Sequence, residues 1–481
     1  MSKIKFGTDG WRAIISDDFT FENVKIVAQA MADFIKSQRR LLASRKSEIY
    51  GRKFKIAVGY DTRFMSEKYA ELIACVMAGN GIAATLSDRP TPTPSVSYTI
   101  VRNKLIGGIM VTASHNPSSY NGIKYKGYFG GSVGKEVTDV MEFRLYKSPV
   151  RFMGRDEAVR KGLLEYRDIV APHVKAISKF VDMKLLKKAR LNVLVDSMGG
   201  TGGLYVQELL KGTKIKVTTI NSKRDAYFGN RSPEPNDVHL RSTSDYMKGK
   251  RFDVCIATDG DADRLGVIAG NGDILSGHKV MTLLLLHLLE GRGLKGGVVQ
   301  TICGTGLIDK IAAAYDLKTY ATPVGFKYIC DIFIKENIVM GGEETGGVAF
   351  KGWLPERDGI LSGLLILELL AHRKRPLTGI IKAIHARYGT FIYKRYDMRL
   401  PQDKKKKLLA KLAASSFASI LGKKVTDVQS YDGFKYVLSD GSWVMLRPSG
   451  TEPKLRVYSE AHSEKDALRL IGFGKKFAAS V

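Results

Sequence analysis

Apolar positions along the chain follow two alternating rhythms. Lys55-Ile56-Ala57-Val58-Gly59-Tyr60 is a short β-rich run that predicts a strand, while Ser66 to Ala78 places Ala70, Ile73, Ala74 and Met77 on one helical face. Ala83 to Leu86 and Gly107 to Val111 predict two more strands, which makes this stretch a βαβ pattern. The rhythm recurs, with strands at Asn192 to Asp196 and Asp253 to Ala257 in a second block, and at Val298 to Ile302 and Ile338 to Met340 in a third. The repetition lies in the pattern, not in repeated residues. The C-terminal stretch differs. Lys404-Lys405-Lys406-Lys407 sits in a helical segment, and Tyr436 to Leu438, the turn Asp440-Gly441 and Trp443 to Leu446 predict a hairpin. Ser463, with Asp466 following at capping-box spacing, predicts the start of a final helix. This is the pattern of a smaller α+β domain behind three α/β units.

In each α/β block one strand runs into a loop of chemically capable residues: Thr112-Ala113-Ser114-His115-Asn116-Pro117, Asp259-Gly260-Asp261-Ala262-Asp263-Arg264, and Gly341-Gly342-Glu343-Glu344-Thr345-Gly346-Gly347. Open α/β sheets bind ligands beyond the carboxyl ends of their strands, so three such loops predict a shared cleft between domains.

Asp259, Asp261 and Asp263 alternate along the second loop, and carboxylates this close repel one another unless a cation offsets them. Oxygen-only ligands suit a hard ion such as Mg²⁺. An EF-hand is excluded: counted from Asp259, position 6 is Arg264 instead of Gly and position 12 is Gly270 instead of Glu. A solvated acidic turn is the plain alternative, and the buried strand Val254 to Ala257 directly before the loop favours the metal.

Ser114 stands outside any G-x-S-x-G elbow and has no obvious Asp-His relay. Such a serine suits carriage of a phosphoryl group beside a metal, since that transfer depends mainly on positioning and charge neutralisation. Lys124 could add positive charge or a proton route. Glu343 and Thr345 offer acceptors fit for sugar hydroxyls, although a simple Gly-rich turn explains their loop equally well. A fourth element, Arg447-Pro448-Ser449-Gly450-Thr451-Glu452-Pro453-Lys454 with Arg456 beyond, combines a guanidinium, hydroxyls and a Gly amide into a phosphate cradle. A P-loop is not supported, because its best candidate, Phe129 to Glu136, has Phe where the first Gly belongs and Glu where Ser or Thr belongs.

Length and charge refine this picture. The 481 residues are too many for one ordinary core and imply three to four domains at roughly 100–150 residues each. The 76 Lys and Arg against 48 Asp and Glu leave a net charge of +28, which suggests an anionic partner and keeps nucleic-acid binding as a rival reading. The basic residues are scattered (Arg39-Arg40, Lys187-Lys188, Arg373-Lys374-Arg375), with no aromatic-interleaved stripe or known nucleic-acid motif, and this argues against that rival. Cys75, Cys255, Cys303 and Cys330 are far apart, as for reduced thiols in a cytoplasmic protein. Met1-Ser2-Lys3-Ile4-Lys5 opens no apolar signal segment, and the apolar run Val280 to Leu289 is too short for a bilayer, so it predicts a buried helix and no membrane partner.

The four elements, with Phe6-Gly7-Thr8-Asp9-Gly10-Trp11-Arg12 near the start, resemble the α-D-phosphohexomutase family of phosphoglucomutase, phosphomannomutase and phosphoglucosamine mutase, in order and over nearly the whole chain. The resemblance implies three similar α/β domains with mixed sheets plus a smaller C-terminal α+β domain around a central cleft, here expected at 1–165, 166–272, 273–388 and 389–481. It implies a phosphorylated Ser114 with His115 and Lys124 beside it, and Mg²⁺ on Asp259, Asp261, Asp263 and a phosphoserine oxygen. Arg12 and Arg264 would flank the reacting phosphate. Glu343 and Thr345 would hold sugar hydroxyls, Lys327 would line the cleft, and Arg447, Ser449, Gly450, Thr451 and Arg456 would hold the distal phosphate. The implied reaction interconverts hexose 1- and 6-phosphates through a hexose 1,6-bisphosphate, which also serves as activator, in a cytoplasmic monomer or homodimer. Gly347 stands where some dual-specificity members carry His, and Gly-Glu-Glu-Thr is nearer the phosphoglucomutase form than the Gly-Glu-Gln-Ser of glucosamine mutases. Glucose phosphate is therefore the expected substrate, mannose phosphate a second, and phosphoglucosamine the alternative.

Overall fold

The computed structural model describes residues 4–7, 9–449 and 454–480. Its strands fall into four sheets in chain order. The first contains β1 (Trp11–Ile14), β2 (Lys53–Tyr60), β3 (Ala83–Ser87), β4 (Leu105–Val111), β5 (Tyr120–Gly127) and β6 (Leu164–Arg167), ordered β1-β5-β4-β2-β3-β6. The second contains β7 (Asn192–Asp196), β8 (Lys216–Ile220), β9 (Val254–Thr258), β10 (Leu265–Ala269) and β11 (Ile274–Leu275), ordered β11-β10-β9-β7-β8. The third contains β12 (Gly297–Thr301), β13 (Thr319–Thr322), β14 (Ile338–Gly342) and β15 (Val348–Phe350), ordered β13-β12-β14-β15. The fourth runs β16 (Ile392–Arg399), β21 (Lys454–Ala461), β20 (Trp443–Pro448), β19 (Phe434–Leu438), β18 (Lys423–Gln429) and β17 (Ser419–Ile420), antiparallel throughout.

The expected strands and the expected helix, observed at Ser66–Gly79, lie within two residues of their predicted ends. The first three sheets are mixed in the same way. Parallel central strands end in one that turns back antiparallel: β4 into β5, β9 into β10, and β14 into β15. All three chemically rich loops are thus hairpin connections, each at the point where the parallel part of its sheet first gives way to an antiparallel strand. Sequence patterning did not reveal β5, β10 or β15. β5 reads Tyr-Asn-Gly-Ile-Lys-Tyr-Lys-Gly, and a strand with polar residues on one face and Gly within it lacks the β-rich signature, although all but its first residue are buried.

The first sheet also bears on where its unit ends. β6 pairs with β3 through Arg167, so this strand spans the expected boundary at residue 165. The apolar run at Val280 forms the buried helix Gly277–Leu286, which continues into a π turn at His287–Gly291. Among the described residues no helix is long and apolar enough to cross a membrane. Ser463 is the N-cap of the final helix, Glu464–Ala479, and its hydroxyl accepts from the Asp466 N–H. The fourth domain rests on the third through a buried apolar patch that includes Ile302, Cys303, Trp443, Met445 and Tyr458.

Candidate functional site

Each of the three loops turns on one residue with left-handed backbone: Ser114 at φ +51°, Ala262 at +55° and Gly346 at +88°. A non-glycine residue there costs roughly 1–2 kcal/mol and persists where its surroundings over-determine it. At Ser114 the surroundings are explicit. Thr112 Oγ1 accepts from the Ser114 N–H at 2.8 Å and donates to Asp61 at 2.6 Å. The fully buried Arg63 donates to the carbonyls of Ser114 (2.7 Å), Asn116 (2.6 Å), Pro117 (2.7 Å) and Tyr120 (2.9 Å). Its Nε meets Asp61 at 3.0 Å, and its guanidinium lies over the Phe228 ring. A buried guanidinium is tolerable only when its donors are matched in this way. Arg63 therefore fixes the serine loop to the end of β2.

The serine and acidic loops meet directly. Ser114 Oγ donates to Asp259 Oδ2 at 2.8 Å, and His115 Nδ1 lies 3.4 Å from the same hydroxyl. The approach needs Gly260, where an added Cβ would stand 2.6 Å from the Ser114 carbonyl oxygen. Burial, followed by the charges of Arg264, Arg12, Lys124 and Arg357, pushes the His115 imidazole well below its ordinary pKa. Arg12 donates to Asn116 Oδ1 at 2.7 Å. Arg264 is buried with Nε and Nη1 lacking hydrogen-bond partners, its nearest carboxylates at 3.8 and 4.0 Å. Guanidinium and ammonium groups thus converge beside the serine in a low-dielectric pocket, an arrangement suited to an anion.

The aspartates are held by cations from the other two domains. Lys124 on β5 meets Asp261 at 2.9 Å, Asp9 at 3.2 Å and Asp263 at 3.5 Å. Burial would lower the Lys124 pKa, but these carboxylates outweigh it and raise it. Thr93 Oγ1 donates to Asp261 Oδ2 at 2.6 Å. Arg357 meets Asp263 at 2.8 Å, Asp9 at 3.0 Å and Glu343 at 3.2 Å, linking three loops with one guanidinium. Its side chain crosses Gly347, where an added Cβ would stand 2.3 Å from Arg357 Cδ. Burial pushes Glu343 up, with Arg357 and Arg264 opposing. Thr345 Oγ1 is buried without a partner. Lys327 is buried with its ammonium 5.2 Å from the Tyr328 ring, and burial lowers its pKa.

In the fourth domain Arg447 pairs with Asp432 at 2.9 Å, and Asp432 also accepts from the Val324 N–H of the third domain. Arg456 faces Arg447 across β20 and β21 and lies 3.8 Å from Asp397. The Ser449 carbonyl accepts from Lys405 at 2.6 Å. Gly450 and Thr451, the other two residues expected in this cradle, lie outside the described residues, as does Thr8.

Comparison with known proteins agrees with this arrangement. Residues 3–148, 171–272, 276–388 and 398–471 match, in turn, the phosphoglucomutase/phosphomannomutase alpha/beta/alpha domains I, II and III and the C-terminal domain. A phosphoglucomutase/phosphomannomutase of Thermococcus kodakarensis is 31% identical over 98% of this chain and 97% of its own. The chain belongs to the phosphoglucomutase/phosphomannomutase family. It is a phosphohexomutase, an intramolecular phosphotransferase. A phosphoglucosamine/phosphogalactosamine mutase of Sulfurisphaera tokodaii is 28% identical over 98% of both chains, so relatives differ in their sugar. The crystal structure of a provisionally named phosphomannomutase from Thermus thermophilus matches at a TM-score of 0.86 and 30% identity, over 99% of both chains.

The phosphohexomutase family is magnesium-dependent in general, and the acidic loop fits such an ion. Oxygens of Asp259, Asp261 and Asp263 lie within 4.8 Å of one another. Asp261 Oδ1 and both oxygens of Asp263 are buried with no hydrogen-bond partner, while Asp261 Oδ2 accepts from Lys124 and Asp263 Oδ2 has an ion-pair contact with Arg357 at 2.8 Å. Burial and the two neighbouring carboxylates push Asp259 well above the ordinary carboxylate range, the signature of like charges seeking a cation.

Sequence reasoning did not single out Arg63, Thr93 or Arg357, and it quoted Asp9 without giving it a part. A signal existed for two of them. Asp61-Thr62-Arg63 directly follows a predicted strand, and Glu356-Arg357-Asp358 is a charged triplet before the apolar helix Gly359–Arg373.

Proposed function

We propose that this phosphohexomutase interconverts hexose 1-phosphate and hexose 6-phosphate, with glucose phosphate as the preferred substrate and mannose phosphate as a second. The carrying observation is Ser114 Oγ, 2.8 Å from Asp259 and ringed by Arg12, Lys124, Arg264 and His115. Ser114 carries the phosphoryl group. In the first transfer its P–Oγ bond breaks as a bond forms from phosphorus to the free sugar hydroxyl, and the proton of that hydroxyl ends on Ser114 Oγ. In the second, Ser114 Oγ bonds to the phosphorus at the other end of the bisphosphate, the bond from that phosphorus to the sugar oxygen breaks, and the serine proton ends on the sugar oxygen. Asp259, Asp261 and Asp263 hold Mg²⁺, which neutralises developing phosphate charge when bound. Arg12 and Arg264 orient the reacting phosphate and Lys124 keeps a fixed positive charge beside it. His115, its pKa lowered by burial and by the surrounding cations, places Nδ1 3.4 Å from the hydroxyl. Glu343 and Thr345 hold sugar hydroxyls, with Lys327 at the cleft wall. Arg447, Ser449, Gly450, Thr451 and Arg456 hold the distal phosphate.

Because one serine serves both ends of the sugar, the bisphosphate must turn over within the cleft. Gly389, at φ +94° after the helix Leu377–Tyr388, supplies a hinge at Tyr388-Gly389-Thr390 for the fourth domain. Expected working units are 1–167, 168–272, 273–388 and 389–481, in a cytoplasmic enzyme with hexose 1,6-bisphosphate as activator. The test is a panel of glucose, mannose and glucosamine 1-phosphates with the matching bisphosphate. Fastest turnover of glucose 1-phosphate supports the sugar reading, and preference for glucosamine 1-phosphate overturns it. Intact mass of the active enzyme should show one added phosphate, absent in Ser114→Ala.

A further inference from the structure

A buried hydrogen-bonded chain joins the three α/β domains away from the reacting serine. Ser95 Oγ lies 2.9 Å from His173 Nδ1, and His173 Nε2 lies 2.8 Å from Asp358 Oδ2. Ser95 belongs to helix Thr93–Asn103 of the first domain, and His173 to helix Val170–Phe180 of the second. Asp358 caps helix Gly359–Arg373 of the third, accepting from the Leu361 N–H, and also accepts from the Trp353 indole at 3.0 Å. Tyr98 and Trp353 pack their rings within 6 Å of the imidazole.

Serine, histidine and aspartate in a row invite a hydrolase reading, but all three residues have no solvent exposure, so no substrate reaches Ser95. What the chain does hold is position. Thr93, two residues from Ser95, donates to Asp261. Arg357, adjacent to Asp358, pairs with Asp263. The two groups that aim the free oxygens of Asp261 and Asp263 therefore sit on two domains, the first and the third. His173, from the second, ties those domains together next to both groups.

We infer that His173 is a positioning residue that sets the spacing of the carboxylates of Asp261 and Asp263, and through it the affinity and geometry of their metal ion. The inference rests on the metal reading above. The imidazole suits the task because one nitrogen bonds Asp358 while the other bonds the Ser95 hydroxyl, at a length that few side chains span. Partners that orient metal ligands typically contribute 10–100-fold to metal affinity or activity.

The test is Mn²⁺ titration of the full-length protein, read by electron paramagnetic resonance, beside steady-state kinetics with glucose 1-phosphate. His173→Phe keeps the ring volume and removes both hydrogen bonds. Its Mn²⁺ Kd should weaken about tenfold and kcat should fall in parallel, with KM for the sugar phosphate within about twofold. His173→Gln, whose amide donates at one end and accepts at the other, should recover part of the loss. Wild-type Kd and kcat in a folded His173→Phe overturn the inference, as does a His173→Gln protein no better than His173→Phe. If His173→Phe does not fold, Ser95→Ala decides: a weakened Kd supports the inference, and an unchanged one overturns it. Failure of the wild type itself to bind Mn²⁺ overturns the metal reading, whereas equal Kd in wild type and variants overturns this inference alone.

Discussion

The acidic loop after β9 and the cradle after β20 are both hairpin connections, and they are built in opposite ways. Asp259, Asp261 and Asp263 are buried and tied by Ser114, Thr93, Lys124 and Arg357 from the other two α/β domains. Arg447 is partly buried and pairs with Asp432 of its own domain, and that domain rests against the third through an apolar patch together with hydrogen bonds from the Val324 N–H to Asp432, the Gly306 N–H to Glu460 and Lys435 to the Ile302 carbonyl. Apolar contact is non-directional and tolerates sliding, whereas charge-assisted hydrogen bonds fix distance and angle. The groups around the transferred phosphate need the second kind of support. A clamp that must accept either end of a sugar bisphosphate is better served by the first.

Ser114→Ala should have the largest effect and defines the fixed side of the comparison. Turnover should fall by about 10⁴-fold or more while far-UV circular dichroism stays unchanged. Full activity in that variant would remove the basis of the comparison.

Removing divalent metal should also stop turnover, with recovery on adding Mg²⁺. Asp261→Asn should shift the Mg²⁺ dependence to concentrations about ten- to a hundredfold higher. Activity that persists in excess chelator would show that the acidic loop serves no metal.

On the mobile side, Arg447→Ala should raise KM by roughly ten- to a hundredfold, the loss of about 1.5–3 kcal/mol from a charge-assisted contact, and should release bisphosphate into solution. Solution scattering should show compaction when substrate is added to the wild type. A normal KM, full retention of the intermediate and unchanged scattering would together place the cradle on the fixed side.

The smallest effect, on stability alone, comes from an ionic cluster outside both regions. Glu368 accepts from His287 at 2.9 Å, from Arg292 at 2.6 and 2.7 Å, and from the Asp182 N–H. Burial opposes its ionisation, but these partners outweigh burial and hold its pKa at about 2. A depressed carboxylate pKa gives stability that is full above the unfolded value of about 4.3 and is lost as pH falls through about 2. Glu368→Gln should therefore lower stability by about 2–3 kcal/mol at pH 7, by a shrinking margin below about pH 4, with kcat little changed. Urea unfolding at several pH values checks this. A constant difference across pH would show that packing, not charge, explains the loss.

The chemically rich loops were legible in the sequence because they are local. A β-rich run followed by Asp-Gly-Asp-Ala-Asp, or by Thr-Ala-Ser-His-Asn-Pro, exposes its chemistry at short spacing, and the alternation of strand and helix periods announces the α/β class. The resemblance to a known family rested on the same local residues. What the sequence could not show is which distant side chains support them. Arg63 reaches a loop about fifty residues on, Arg357 is 348 positions from Asp9, and His173 is 185 from Asp358. The antiparallel strand β5 was hidden for a related reason: buried Lys124 and Lys126 look like surface residues until carboxylates from the second and third domains pair with them. Local periodicity is set by backbone geometry and each residue's own solvation, and a single sequence carries both. Pairing between domains depends on which surfaces the folded chain brings together, and only the tertiary structure decides that.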